Sequence, residues 1–98
     1  MVKRLNPDAT TIMHWRMRIG FKIRDVRKSR KMTQQRMATR LGWSRPSVVA
    51  IERGKQAVTL DQLVRIAILF RCSVSAFFPL GVIPPDDLAM MEGPSRLL

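Results

Sequence analysis

Apolar residues recur at spacings of three and four along most of this 98-residue chain, the period of helices that bury one face. Ile12, Trp15, Ile19, Ile23 and Val26 form one such stripe, ending near Lys31. Asn6 reads as its cap and Pro7 as its first helical residue, while Gly20 is a candidate break between a short leading helix and the first helix of the domain proper. Met13, Met17 and Phe21 make a second apolar strip, a candidate contact with the C-terminal tail or with a second copy of the chain. Leu60, Leu63, Ile66, Ala67 and Phe70 predict the buried face of a later helix capped by Thr59 with Asp61 in its first turn. Ser73 caps a last core helix through Phe78, stopped by Pro79 and Gly81. Further on, Pro84-Pro85-Asp86 can start a short helix carrying Leu88, Met90 and Met91, ended by Gly93-Pro94.

The centre of the pattern is Thr33 to Gly54. Thr33 and Ser44 are both helix-start signals, because each hydroxyl can accept from an unpaired first-turn amide. Pro46 is harmless in a first turn and disruptive in mid-helix, so it argues for a helix beginning at Ser44. Gly42 can take the left-handed conformation that ends the preceding helix. Met37, Ala38 and Leu41 share one face of the first helix, Val48 and Ile51 one face of the second. Two helices joined by so short a turn fit either a helix-turn-helix or an ordinary helical hairpin.

Charge distinguishes these. Residues 1–55 carry fifteen Lys or Arg against Asp8, Asp25 and Glu52, whereas residues 56–98 carry three against four. With Val48 and Ile51 inward, Pro46, Val49, Ala50 and Arg53 face outward beside Arg45, and that face has no acid. Glu52 is the one acid between Asp25 and Asp61; beside phosphates it would repel, so it is expected to turn inward and pair with Arg27. The alternative is a solvated Glu52 with no fixed partner.

From about Ile19 to Pro79 the chain resembles the Cro/CI, or XRE-type, helix-turn-helix domains of phage repressors and small bacterial regulators. The resemblance rests on Ile23, Arg27, Thr33-Gln34, Met37-Ala38, Leu41-Gly42, Ser44, the run Ile51-Glu52-Arg53-Gly54-Lys55, Leu60, Leu63, Ile66-Ala67 and Val74. It implies an all-α, five-helix, lambda-repressor-like domain at 19–79, with an N-terminal extension at 1–18 and a short C-terminal tail at 80–98. It also implies pairing of Arg27 with Glu52. Trp43, Pro46, Ala50 and Arg36 depart from the family pattern, which bears on base preference rather than on the fold.

A protein of this kind lays its second helix in the major groove of double-stranded DNA. Phosphate contacts are then expected from Thr33, Gln34, Ser44, Arg53, Lys55 and Arg30, near helix starts or flanking the recognition helix. Base reading falls to Arg45, which suits guanine, and to Pro46, Val49 and Ala50, which suit thymine methyls, with Ser47 secondary. The expected function is a transcriptional repressor acting as a homodimer on a palindromic operator. Phe77, Phe78, Leu80, Val82 and Ile83 are the candidate dimer or partner surface, unless the tail folds back on its own domain. A restriction-modification controller fits as well, and so does an antitoxin that holds a toxin protein and represses its own operon.

Composition removes other classes. With one cysteine, Cys72, and one histidine, His14, there is no disulfide framework and no zinc-ligand set, and no metal or cofactor is expected. Cys72 reads as a small core residue and His14 as surface or interface. No paired carboxylates, phosphate loop or activated nucleophile suggest an enzyme. No apolar run is long enough to span a membrane, no secretory signal is seen, and a cytoplasmic location is expected. The basic first stripe also allows a membrane-surface or calmodulin-target reading, set aside because the same segment serves as the first core helix.

Overall fold

The computed structural model describes residues 9–79. Four α-helices follow in order: α1 (Ala9–Ser29), α2 (Gln34–Leu41), α3 (Arg45–Glu52) and α4 (Leu60–Phe70), then a 3-10 helix at Val74–Phe77. The helix starts are fixed by side chains. Thr33 Oγ1 accepts from the Arg36 amide at 3.0 Å, and Ser44 Oγ accepts from the Ser47 amide at 3.2 Å. Thr59 and Gln62 exchange hydrogen bonds as a capping box, so Gln62 works beside the expected Asp61.

All four helices end in the same way, with a left-handed residue followed by a 6→1 backbone bond: Met32 to Arg27, Trp43 to Ala38, Lys55 to Ala50 and Cys72 to Ala67. The left-handed residues are Lys31, Gly42, Gly54 and Arg71.

Ile23, Met37, Ala38, Leu41, Val48, Ile51, Leu63, Ile66, Ala67, Phe70 and Phe77 form one buried core drawn from every helix. Three expectations change. The fifth helix is a four-residue 3-10 turn, because only five residues separate the Ser73 cap from Pro79, and the residue before a proline is driven to extended backbone, as Phe78 is. Leu60 is exposed rather than buried. Gly20 does not break α1: a Cβ there would collide with the Ile51 carbonyl oxygen and lie 2.7 Å from that of Glu52. It is the point where α1 and the end of α3 meet backbone to backbone. The helix starts expected at Asn6 and at Pro84 lie outside the described residues, as do the segment 1–8 and the tail from Leu80.

Phe77 requires a correction of role. It is fully buried, closing the core beneath α1 and α4, so it cannot serve as a surface contact. Phe78 beside it is exposed, whereas Leu80, Val82 and Ile83 fall outside the described residues. Cys72 is half-buried against the core.

Candidate nucleic-acid interface

The turn between α2 and α3 is set by Gly42, at φ 73°, and Trp43, whose amide bonds to Ala38 and whose half-buried side chain packs on the core. This holds α3 across α2 with Val48, Ile51 and Glu52 turned inward. Arg45 and Pro46 are exposed, as is Arg53 at the helix end and Lys55 beyond it; Ser47, Val49 and Ala50 are half-buried. The five residues expected to read bases all belong to α3, and each keeps some exposure. Ser47 is partly committed, since its hydroxyl lies 2.9 Å from that of Ser44.

Beneath this surface is a buried ion pair. Arg27 Nε donates to Glu52 Oε2 at 2.6 Å and Nη2 donates to Oε1 at 3.1 Å, with 9% and 2% of the two side chains exposed. Arg27 Nη1 also donates to the Met32 carbonyl at 2.7 Å. Such a fork on a carboxylate is the strong, geometrically specific form of the contact. Its effect on the surface is as important as its strength: the one acid of the hairpin is withdrawn and neutralised. Neither α2 nor α3 carries an acid in its first turn. The N-terminus of α3, with its unpaired amides and partial positive charge, thus has no acid in its first turn, and the carboxylate near the start of α2 is already paired with Arg27.

The expected phosphate contacts divide. Thr33 and Ser44 are exposed at the two caps, with their hydroxyls accepting first-turn amides. Gln34 opens α2, and its Nε2 donates to Glu52 Oε1 at 3.1 Å, a link the sequence reasoning missed. The signal available was position alone, a polar side chain at the first helical residue above the inward-turned Glu52. Arg30 is anchored elsewhere. Its Nε and Nη2 donate to the Phe70 carbonyl at 3.3 and 3.2 Å and Nη1 to Ser29 Oγ at 3.4 Å, so it caps the C-terminus of α4.

Among the described residues no group of three His, Cys, Asp or Glu could hold a metal ion, and no helix is long and apolar enough to cross a membrane.

Comparison with known proteins agrees with this geometry. An HTH_3 family transcriptional regulator from Vibrio cholerae is 31% identical with a TM-score of 0.63, the match covering 68% of this chain and 38% of that one. This chain thus spans well under half the length of that regulator. The restriction-modification controller protein C.AhdI from Aeromonas hydrophila shares the fold at 24% identity and a TM-score of 0.61, over 63% of this chain and 94% of that one. FeII HppE in complex with substrate matches at 31% identity and a TM-score of 0.64, over 74% of this chain but 42% of its own. No curated protein matches. The helix-turn-helix family model HTH_3 matches residues 23–77, more than half of the chain and the whole of the hairpin with its supporting core. The chain belongs to the HTH_3 family of XRE-type helix-turn-helix domains.

Proposed function

We propose that this chain is a DNA-binding transcriptional regulator that reads duplex DNA with α3, and that it acts as a repressor on a palindromic operator as a homodimer. The observation that carries the reading is the outward face of Arg45, Pro46, Val49 and Ala50, left free of acid because Glu52 is buried on Arg27. Arg45 pairs with a guanine edge, and Pro46, Val49 and Ala50 lie against thymine methyls, with Ser47 secondary. Thr33, Gln34, Ser44, Arg53 and Lys55 hold the backbone, whereas Arg30, tied to α4, contributes charge at longer range. Residues 19–79 are the DNA-binding unit, 1–18 an N-terminal extension and 80–98 a tail. The dimer surface is built on exposed Phe78 with Leu80, Val82 and Ile83, and the protein works in the cytoplasm.

One domain of this size reads few base pairs, and a two-fold pair with recognition helices about 34 Å apart doubles the site. Selection from random duplex DNA at about 150 mM salt suppresses backbone-only binding and tests the reading. Enrichment of a palindrome with half-sites one helical turn apart supports it; recovery of no preferred sequence refutes it.

A second reading, an antitoxin that also represses its own operon, is favoured by exposed apolar residues on α1 such as Met17 and Phe21. Co-purification with a tightly bound toxin supports that reading. A catalytic role has no support from the family, and the likeness to FeII HppE reaches only the helix-turn-helix portion.

A further inference from the structure

One face of α1 stays largely exposed, although Met17 on it packs against Gly54 at the end of the hairpin. Met13, Met17 and Phe21 lie at i, i+4 and i+8 and remain 47%, 49% and 62% exposed. A groove of about 410 Å³ lies at the Met17–Phe21 end of this strip, lined by Met17, Arg18, Phe21, Lys22 and Pro79. Its floor is apolar and one edge is basic, since Arg18 and Lys22 lie one position on from Met17 and Phe21. Arg18 is held near the Trp15 ring, 5.7 Å from its centroid, and its Nη1 is buried with no hydrogen-bond partner among the described residues. The groove therefore asks for an occupant with apolar side chains and an acceptor for a guanidinium.

The chain carries such a segment. Beyond Pro79, which lines the groove, residues 80–98 hold three acids, Asp86, Asp87 and Glu92, against Arg96, with Leu88, Met90 and Met91 among them. On a helix Leu88 and Met91 would share a face with Asp87 at its edge, the complement of an apolar strip edged by Arg18 and Lys22. Reach is ample: seven residues from Pro79 to Asp86 span up to about 24 Å, against about 12 Å from Phe21 back to Met13.

We propose that residues 84–92 of this chain seat in the α1 groove of the same molecule, Leu88 and Met91 covering Met17 and Phe21 while Asp86 or Asp87 accepts from Arg18. The short tether decides between this occupant and a second copy. A segment attached at the edge of its own site has an effective concentration of order millimolar, so at micromolar protein the intramolecular contact prevails. The proposed seat uses residues 84–92 only and so does not draw on Leu80, Val82 and Ile83, assigned above to the proposed dimer. A protein partner reaches the α1 strip only by displacing the tail.

The test uses the full chain with Cys72→Ala, adding Met17→Cys with either Leu88→Cys or Met91→Cys, and mild oxidation at micromolar protein. The expected result is a disulfide within one chain for at least one pair, formed about tenfold or more faster than for a control pairing Gln35→Cys with the same tail position. Disulfides between chains would assign the groove to a second copy, and rates equal to the control would leave it without this occupant; either overturns the proposal. A second measurement avoids the paired variants. In Met17→Cys, Cys72→Ala protein, Asp86→Lys with Asp87→Lys is expected to speed reaction of the thiol with a bulky maleimide about tenfold, and an unchanged rate also overturns it. Neither readout involves DNA, so failure here is separate from failure of the regulator reading.

Discussion

Replacing Arg27 with alanine is the sharpest test of how this domain is held together. The substitution removes both hydrogen bonds of the fork on Glu52 and the bond to the Met32 carbonyl. The Glu52 carboxylate, 2% exposed, is left with Gln34 Nε2 as its side-chain donor among the described residues. An uncompensated buried charge of this kind costs about 3 to 5 kcal/mol. In a domain whose whole stability is of order 5 to 15 kcal/mol, that loss lowers the thermal midpoint by more than about 12 °C. Urea and thermal unfolding followed by circular dichroism measure it, and the loss should change little with added salt because the pair is buried. The double variant Arg27→Met, Glu52→Leu removes both charges together and should lie within about 1 kcal/mol of the parent, or above it. A single-variant loss under about 1 kcal/mol, the scale of an exposed pair, refutes the reasoning, and so does a double variant whose cost is the sum of the two singles.

Gly20→Ala should destabilise by about 1 to 3 kcal/mol in the same unfolding assay, although alanine is the better helix former, because the new Cβ meets the backbone of Ile51 and Glu52; a gain in stability would show that α1 can move away at little cost. Phe77→Ala should cost about 3 to 5 kcal/mol, the scale for emptying an aromatic site in a core. Phe78→Ser, at the exposed neighbour, should leave the unfolding midpoint nearly unchanged and shift the sedimentation of the protein toward monomer. Arg45→Ala should cost about 1 to 3 kcal/mol on the selected site and relax preference at one base pair; an equal loss on every sequence would make Arg45 a phosphate contact.

What was legible in the sequence was whatever depends on local rules. Thr33, Gly42, Ser44 and Pro46 set the hairpin through caps, a left-handed turn and a first-turn proline, each acting within a few residues. Glu52 was legible for a different reason: a single acid inside a basic stretch has few places to go, and Arg27 sits on the helix that faces it. The features that escaped are those that need the third dimension. Gly20 looks like a helix breaker until α3 is laid across it. Phe77 and Phe78 are adjacent and identical in type, and only the turn of a 3-10 helix sends one into the core and leaves the other outside. Arg30 carries the same charge as any phosphate-binding arginine, but the end of α4 arrives beside it from forty residues away. Lys31 and Arg71 take left-handed backbone with nothing in their side chains to announce it.

Gln34 connects the buried pair to the surface. A carboxylate can only accept, so the atom facing Glu52 Oε1 at 3.1 Å is the amide nitrogen, which fixes the orientation of the Gln34 side chain. The nitrogen has a second hydrogen, available for the proposed contact with a phosphate at the N-terminus of α2. Gln34→Ala should therefore weaken DNA binding by about 1 kcal/mol, by the same factor on all sequences. Because glutamine is neutral, its removal releases no additional counterion and the slope of affinity against salt should not change. Lys55→Ala is the contrast: it also weakens all sequences alike, but lowers that slope by about 0.9. Titrations of both variants at several salt concentrations, on the selected site and on unrelated duplex, separate the two. A sequence-dependent loss for Gln34→Ala would make it a base reader, and a loss of slope would mean that the variant disturbs the charged contacts. Either result removes Gln34 from the neutral phosphate contacts proposed for α2.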